Sequence, residues 1–153
     1  MAIILPNGIL GNPGEQMEGV RWWMMRNMEL IASIDLPGEA FLPQVSVQAS
    51  CVLLRRRYQD ELLFTDSTGS EQRPVFMAIA KYVGHGRRGE RLYRRKPDGS
   101  DDLSVIEIVE RWEGQNGINE RIRRKETRVV ADDLPWIAQQ FGRFAAGKPF
   151  EEA

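Results

Sequence analysis

The chain opens on an unbroken apolar run. Ala2-Ile3-Ile4-Leu5 is stopped by Pro6, and Asn7-Gly8 supplies an exit turn. A run that is apolar on both faces predicts a short, fully buried strand over 2–6. Gly11-Asn12-Pro13-Gly14-Glu15 reads as a helix start, with Asn12 as the cap, Pro13 in the first helical position and Glu15 three residues after the cap. The predicted helix carries Met17, Val20 and Trp23 or Met24 on one side and Arg21 and Arg26 on the other, and ends near Asn27. A second strand is predicted over 30–35, stopped by Leu36-Pro37-Gly38. After a loop with Phe41 and Pro43, residues 45–54 first alternate (Val45, Val47, Ala49, Cys51) and then turn apolar on both faces (Val52-Leu53-Leu54). That pattern predicts a strand inside a sheet, closed toward solvent by Arg55-Arg56-Arg57.

The second half is more polar. Residues 58–73 contain Ser67-Thr68-Gly69-Ser70 and read as a loop or hairpin tip. A fourth strand is predicted over 74–80, through Val75-Phe76-Met77-Ala78-Ile79. Residues 84–99 form a basic, glycine-rich loop holding Leu92-Tyr93. Asp102 is placed to cap a helix from about Leu103 to Glu113, with Val105, Ile106, Val109 and Trp112 on one face. Gly114-Gln115-Asn116-Gly117 would break it, and residues 118–128 read as charged and irregular. A final helix is capped by Asp132 or Asp133, has Pro135 in its first turn, and shows Trp136, Ile137, Gln140, Phe141 and Phe144 on its apolar face.

Composition narrows the chemistry. The chain has 153 residues, 42% of them hydrophobic and 28% charged, which suits one globular domain with a core of its own. No apolar run approaches the roughly 20 residues that span a bilayer, and the first residues lack the basic flank of a signal peptide. The single cysteine, Cys51, excludes an intrachain disulfide and reads as a small core residue in a reducing cytoplasm. Twenty-one Lys and Arg against 22 Asp and Glu give a net charge of −1, so the chain as a whole is not a polycation. Positive charge is nevertheless concentrated at Arg87, Arg88, Arg91, Arg94, Arg95 and Lys96, with Glu90 the one acid among them. Such a run is a solvated face, a set of phosphate contacts interleaved with Tyr93, or a contact to a partner subunit. His85 is the only histidine, so a histidine–cysteine metal cluster and a nucleophile triad are both hard to build.

Three segments, in this order and spacing, resemble the modification subunit of type I restriction systems, within the adenine-N6 DNA methylase family. The first is Ala2 to Leu10. The second is Ile34-Asp35-Leu36-Pro37-Gly38-Glu39-Ala40-Phe41, followed by Val47-Gln48-Ala49-Ser50-Cys51-Val52-Leu53-Leu54. The third is Val75-Phe76-Met77-Ala78-Ile79-Ala80 with Gly84-His85-Gly86-Arg87-Arg88-Gly89 and Tyr93. Asp132-Asp133-Leu134-Pro135 resembles the family's closing helix start. Ala49 stands where the family's Val-x-Thr-Ser/Asn step has threonine.

The resemblance implies an α/β fold, part of a Rossmann-like class I methyltransferase that uses S-adenosylmethionine. Residues 2–6 would be its strand five, 30–35 strand six and 46–54 strand seven, with strand seven antiparallel between the other two. Residues 1–100 would form the C-terminal half of the catalytic domain and 101–153 a helical extension packed on it. The glycine-rich cofactor loop and the catalytic Asn-Pro-Pro-Phe/Tyr motif would both lie upstream. Asn12-Pro13-Gly14-Glu15 resembles that motif only in its first two positions and follows strand five instead of preceding it. No catalytic or cofactor-binding residue is therefore expected in this chain, and it is expected to be inactive alone.

Phe41 matches the family's target-base contact and would hold a flipped adenine; packing into the core beneath its loop is the other reading. Tyr58, Tyr82 and Tyr93 are alternative stacking residues. Arg87, Arg88, Arg91, Arg94 and Arg95 would touch the DNA backbone. The implied partners are DNA, the N-terminal half of the enzyme, and the specificity and restriction subunits; no membrane is implied. The 2–6 edge is expected either to self-associate or to be covered by the final helix. The competing function is a non-catalytic DNA-binding or subunit-assembly module built on half of the fold.

Overall fold

A computed structural model describes residues 1–57, 74–114 and 117–151. In chain order the elements are β1 (Ala2–Pro6), α1 (Asn7–Gly11), α2 (Glu15–Asn27), β2 (Met28–Asp35), β3 (Ala49–Arg56), β4 (Phe76–Ile79), β5 (Leu103–Gly114), β6 (Gly117–Arg128) and α3 (Leu134–Ala145). Four strands form one sheet in the order β1-β3-β2-β4, and β5 and β6 form a separate two-stranded sheet. β3 is antiparallel to β1 and to β2, while β4 is parallel to β2. β1, β2 and β4 therefore run one way and β3 alone runs against them. The expected order of 2–6, 46–54 and 30–35 is present, with β4 added outside β2.

Alternation along β3 divides the core between the two faces of this sheet. Val52 and Leu54 join Leu5 on one face, where Ile9, Leu10, Met24 and Met28 cover them. Leu53 belongs to the opposite face with Ala32, Leu36, Phe76, Ala80 and Ile137. There Phe76 meets Phe141 edge-on at 5.5 Å between ring centroids and Phe144 at 5.6 Å. These contacts place α1 and α2 on one face and α3 on the other, over the β2–β4 side.

Several expectations are corrected. β1 is not fully buried: Ile3 and Ile4 are exposed, and only Leu5 is buried. It lies at the sheet edge, with one strand beside it among the described residues. The final helix does not cover that edge, because its phenylalanines are committed to Phe76. Asn12 does not cap α2. The residue before a proline is pushed to extended backbone, and Asn12, at ψ 140°, ends α1 instead. Gly14, at φ 124°, is the residue that precedes α2, and its N–H donates to Glu18 Oε1 at 3.3 Å. β2 begins two residues early, with an irregularity in its pairing to β3 between Leu30 and Ala32. β3 begins late, leaving Val45 exposed in the loop.

The largest correction concerns 103–128. The expected helix over 103–113 is β5, and the stretch expected to be irregular is β6. Val105, Ile106, Ile108 and Val109 are β-branched and favour extended backbone, and Gly117 takes a φ of 113° at the start of β6. The segment 101–153 thus contains one helix and a long hairpin rather than a helical extension. Of the two candidates for the start of α3, Asp133 holds the cap position without a side-chain cap bond, its Oδ2 accepting instead the N–H groups of Lys81 and Tyr82, while Asp132 Oδ1 accepts the Leu134 N–H at 3.0 Å. The loop expected over 58–73, with Tyr58, lies outside the described residues. Among the described residues, no helix is long and apolar enough to cross a membrane.

Candidate functional site

In open sheets with parallel strands, ligands gather beyond the carboxyl ends of those strands. The residues that follow β2 and β4 line a cleft of about 780 Å³ at that end, with Pro37 and Glu39 on one wall and Lys81, Tyr82, His85 and Arg87 on the other. The β4 wall is a loop folded on itself. The Gly86 N–H donates to Glu90 O at 2.9 Å, and the Leu92 N–H donates to Gly84 O at 3.0 Å. Gly86 is buried, and a side chain there would run into the Glu90 carboxylate. That carboxylate in turn accepts the Arg88 N–H at 2.9 Å. Arg87 Nε reaches Glu39 Oε1 at 3.2 Å and links the two walls. With Arg87 81% exposed, the ion pair guides the loop more than it stabilises it.

A polar network lies at the same end of the sheet. Asn7 follows β1, Asp35 ends β2, and Ser50 lies near the start of the antiparallel β3, so strand direction brings all three together. Asn7 Nδ2 donates to Asp35 Oδ1 at 3.0 Å, and Ser50 Oγ donates to Asn7 Oδ1 at 2.9 Å. Ser50 also lies 3.3 Å from Asp35 Oδ1 and is buried. The network ties the exits of β1 and β2 to the central strand β3.

The structure divides the expected site residues. Arg87 and Arg88 line the cleft. Arg91 is bridged to His85 backbone to backbone across the neck of the loop, and Arg95 is bridged in the same way to Asp101. The Arg94 N–H donates to Val129 O at 2.8 Å, and Arg94 O accepts the Asp102 N–H, so Arg94 and Arg95 belong to the foot of the β5–β6 hairpin. Phe41 is half-buried against the Ala32–Leu36–Phe76 cluster, on the same loop as Pro37 and Glu39 but outside the cleft lining. Tyr82 lines the cleft, whereas Tyr93 lies beneath Arg128, whose guanidinium is 4.0 Å from the ring centroid. Asn7, Asp35, Ser50, Glu39 and Lys81 are candidate-site residues that no sequence motif singles out. The available signal for the first two was their position directly at the ends of strands.

Among the described residues, no group of three or more His, Cys, Asp or Glu is placed to hold a metal ion. The turn after β1 does not fit a cofactor-holding glycine loop. It closes at once into α1, with the Asn7 N–H given to Gln48 O and the Asn12 N–H to Gly8 O, so these donors are spent within the fold.

No family model matches the chain, and no match is found among curated proteins. Among solved structures, a modification subunit of a type I restriction enzyme from Vibrio vulnificus is similar at 14% identity and a TM-score of 0.33, over 86% of this chain and 25% of that one. The chain thus spans about a quarter of that structure's length, and a likeness this shallow carries no argument about function.

Proposed function

We propose that this chain is the C-terminal, target-base half of the catalytic domain of an adenine-N6 DNA methyltransferase of the type I restriction–modification kind. It would rely on an N-terminal half for S-adenosylmethionine and for the catalytic asparagine. The observation that carries the reading is the strand pattern. β1 and β2 are parallel with antiparallel β3 between them, and β1 and β2 are joined through α1 and α2. That is the arrangement the sequence resemblance calls for at residues 2–6, 46–54 and 30–35. The side of β1 that bears no strand among the described residues and the exposed Val20, Trp22, Trp23 and Met25 of α2 support a further layer supplied from elsewhere.

In this reading each region has a task. The cleft beyond β2 and β4 has the size of a small-molecule site and receives a base extruded from the duplex. Arg87 and Arg88 at the cleft, with Arg91, Arg94 and Arg95 beyond it, hold phosphates and so position the strand without reading its sequence. Phe41, half-exposed on the loop that carries the cleft residues Pro37 and Glu39 but outside the cleft lining, would meet the adenine only at the cleft's rim. The Asn7–Asp35–Ser50 network has a structural task, holding the ends of β1 and β2 to β3.

The test is methyl transfer. The chain is joined behind a segment carrying the glycine-rich loop and the Asn-Pro-Pro-Phe/Tyr motif, and labelled methyl incorporation into duplex DNA is measured. The joined protein is expected to methylate adenine N6, and either part alone is not. Incorporation by the 153-residue chain alone, or none from a folded joined protein, overturns the proposal. In the joined protein Phe41→Ala is expected to lower transfer by about five- to hundredfold, the equivalent of ~1–3 kcal/mol of base stacking. A melting loss of ~3–5 kcal/mol with unchanged specific activity assigns Phe41 to the core instead.

A further inference from the structure

β5 and β6 pair over their whole length, from Leu103 opposite Arg128 to Gly114 opposite Gly117. Alternate residues in a strand face opposite ways, and directly paired residues share a face. The register therefore sorts the charges. One face carries Glu107, Arg111, Glu113, Glu120, Arg124, Glu126 and Arg128, and its signs are mixed and paired: Arg111 meets Glu120 at 2.7 Å, and Arg124 meets Glu107 at 3.0 Å. The other face carries Arg121, Arg123 and Lys125 in a row along β6, against the single acid Glu110. Among the described residues none of these three cations has an ion-pair partner, and all three are exposed.

We infer that this second face is an arm for duplex DNA, with Arg121, Arg123 and Lys125 laid along the sugar–phosphate backbone. The choice of DNA over another polyanion rests on the methyltransferase reading, whereas the cationic face itself rests on the strand register. Every second residue of a strand is about 6.7 Å further on, so the three charges form a straight, evenly spaced row. A two-stranded ribbon is also narrow enough to enter a DNA major groove roughly 12 Å wide. Trp112 lies on the same face near the hairpin end, 49% exposed, where it can stack on a base or sugar. At the other end, Arg94 is hydrogen-bonded through its backbone to Val129 and Asp102, so the basic loop that lines the cleft continues into the foot of the arm.

Fluorescence anisotropy of the 153-residue chain with a labelled random-sequence duplex, over roughly 50–200 mM salt, tests the inference. The triple variant Arg121→Ala, Arg123→Ala, Lys125→Ala is compared with Arg111→Ala, Arg124→Ala, Arg128→Ala, which removes the same charge from the other face. The first triple should keep the parent's circular dichroism and melting. The second also removes the Arg111–Glu120 and Arg124–Glu107 pairs and the Arg128–Tyr93 contact, so it is compared at a temperature where its circular dichroism matches the parent's. The first triple is expected to weaken binding tenfold or more at low salt. It should also flatten the dependence of log K on log salt by up to about 2.7, or about 0.9 for each phosphate contact removed. The second triple should change both far less. Equal losses from the two triples, unchanged binding in the first, or equally tight binding of polyglutamate, which would mark an acidic protein partner, overturns the inference. Arm-dependent DNA binding by a joined protein that transfers no methyl group sustains the arm and overturns the methyltransferase reading. Methyl transfer by a joined protein whose DNA binding ignores the first triple does the reverse.

Discussion

β3 and β5 draw on the same kinds of residue, yet Val52 in β3 is 2% exposed and Val105 in β5 is 60% exposed. The difference is in what surrounds them. β3 has a strand on each side and helices over each face, so its alternation divides one core into two. Among the described residues β5 has one partner and no layer on either face, and its order comes from a long run of cross-strand pairs, with two ion pairs on one side. A lone two-stranded ribbon is marginal in water. This one is attached to the body through the backbone bonds of Arg94 with Val129 and Asp102. Residues buried in β3 are answerable to packing, whereas the ribbon's are free to be chosen for what they meet outside.

That contrast is easiest to break at the rings. Phe76→Ala removes the hub of the Phe141 and Phe144 contacts and is expected to cost about 3–5 kcal/mol. The matching change in the ribbon, Trp112→Ala, should stay within about 0.5 kcal/mol. Thermal melting of the two variants checks this, and similar losses would mean that the ribbon is part of the core. Asp35→Ala should cost less, about 1–3 kcal/mol, because it leaves the Asn7 amide without its acceptor beside the buried Ser50; urea titration measures it. At the β1 edge, Ile3→Lys should change stability by no more than about 0.5 kcal/mol but abolish concentration-dependent self-association in light scattering. A parent chain that stays monomeric at every concentration would show that the edge needs no cover.

The smallest effect belongs to a turn. The Ser100 hydroxyl, and then its N–H, donate to Asp98 and hold that carboxyl below its ordinary value. A lowered carboxyl favours the fold at pH above the ordinary aspartate range, and that contribution is lost as pH falls through the lowered value. Ser100→Ala should raise the Asp98 value toward the ordinary one in an NMR titration, with no measurable change in melting at neutral pH.

The body was legible in the sequence because its strands are short apolar runs bounded by Pro6, Pro37-Gly38 and the Arg55-Arg56-Arg57 triplet. The quoted resemblance then supplied their order. The ribbon was not legible, because Val105, Ile106, Val109 and Trp112 satisfy a helical spacing while Ile106 and Ile108 satisfy a strand's. What decides between them is pairing with β6, whose Ile118 and Ile122 are isolated among charges and give little signal alone. The same limit hid the Asn7–Asp35–Ser50 network, whose members lie 28 and 15 residues apart along the chain and meet only through sheet register. The exposure of β1 was missed because an apolar run says nothing of whether a neighbour stands on each side.

The central claim is that β1 is the seam where an N-terminal half joins this sheet, and amide hydrogen exchange across 2–6 tests it most directly. In the dilute chain alone these amides should exchange far faster than those of β3. In a protein joined to a segment bearing the cofactor loop and catalytic motif, they should become protected as strongly as β3. Protection that is already complete in the dilute chain, or that does not rise in a joined protein that is folded, would contradict the claim.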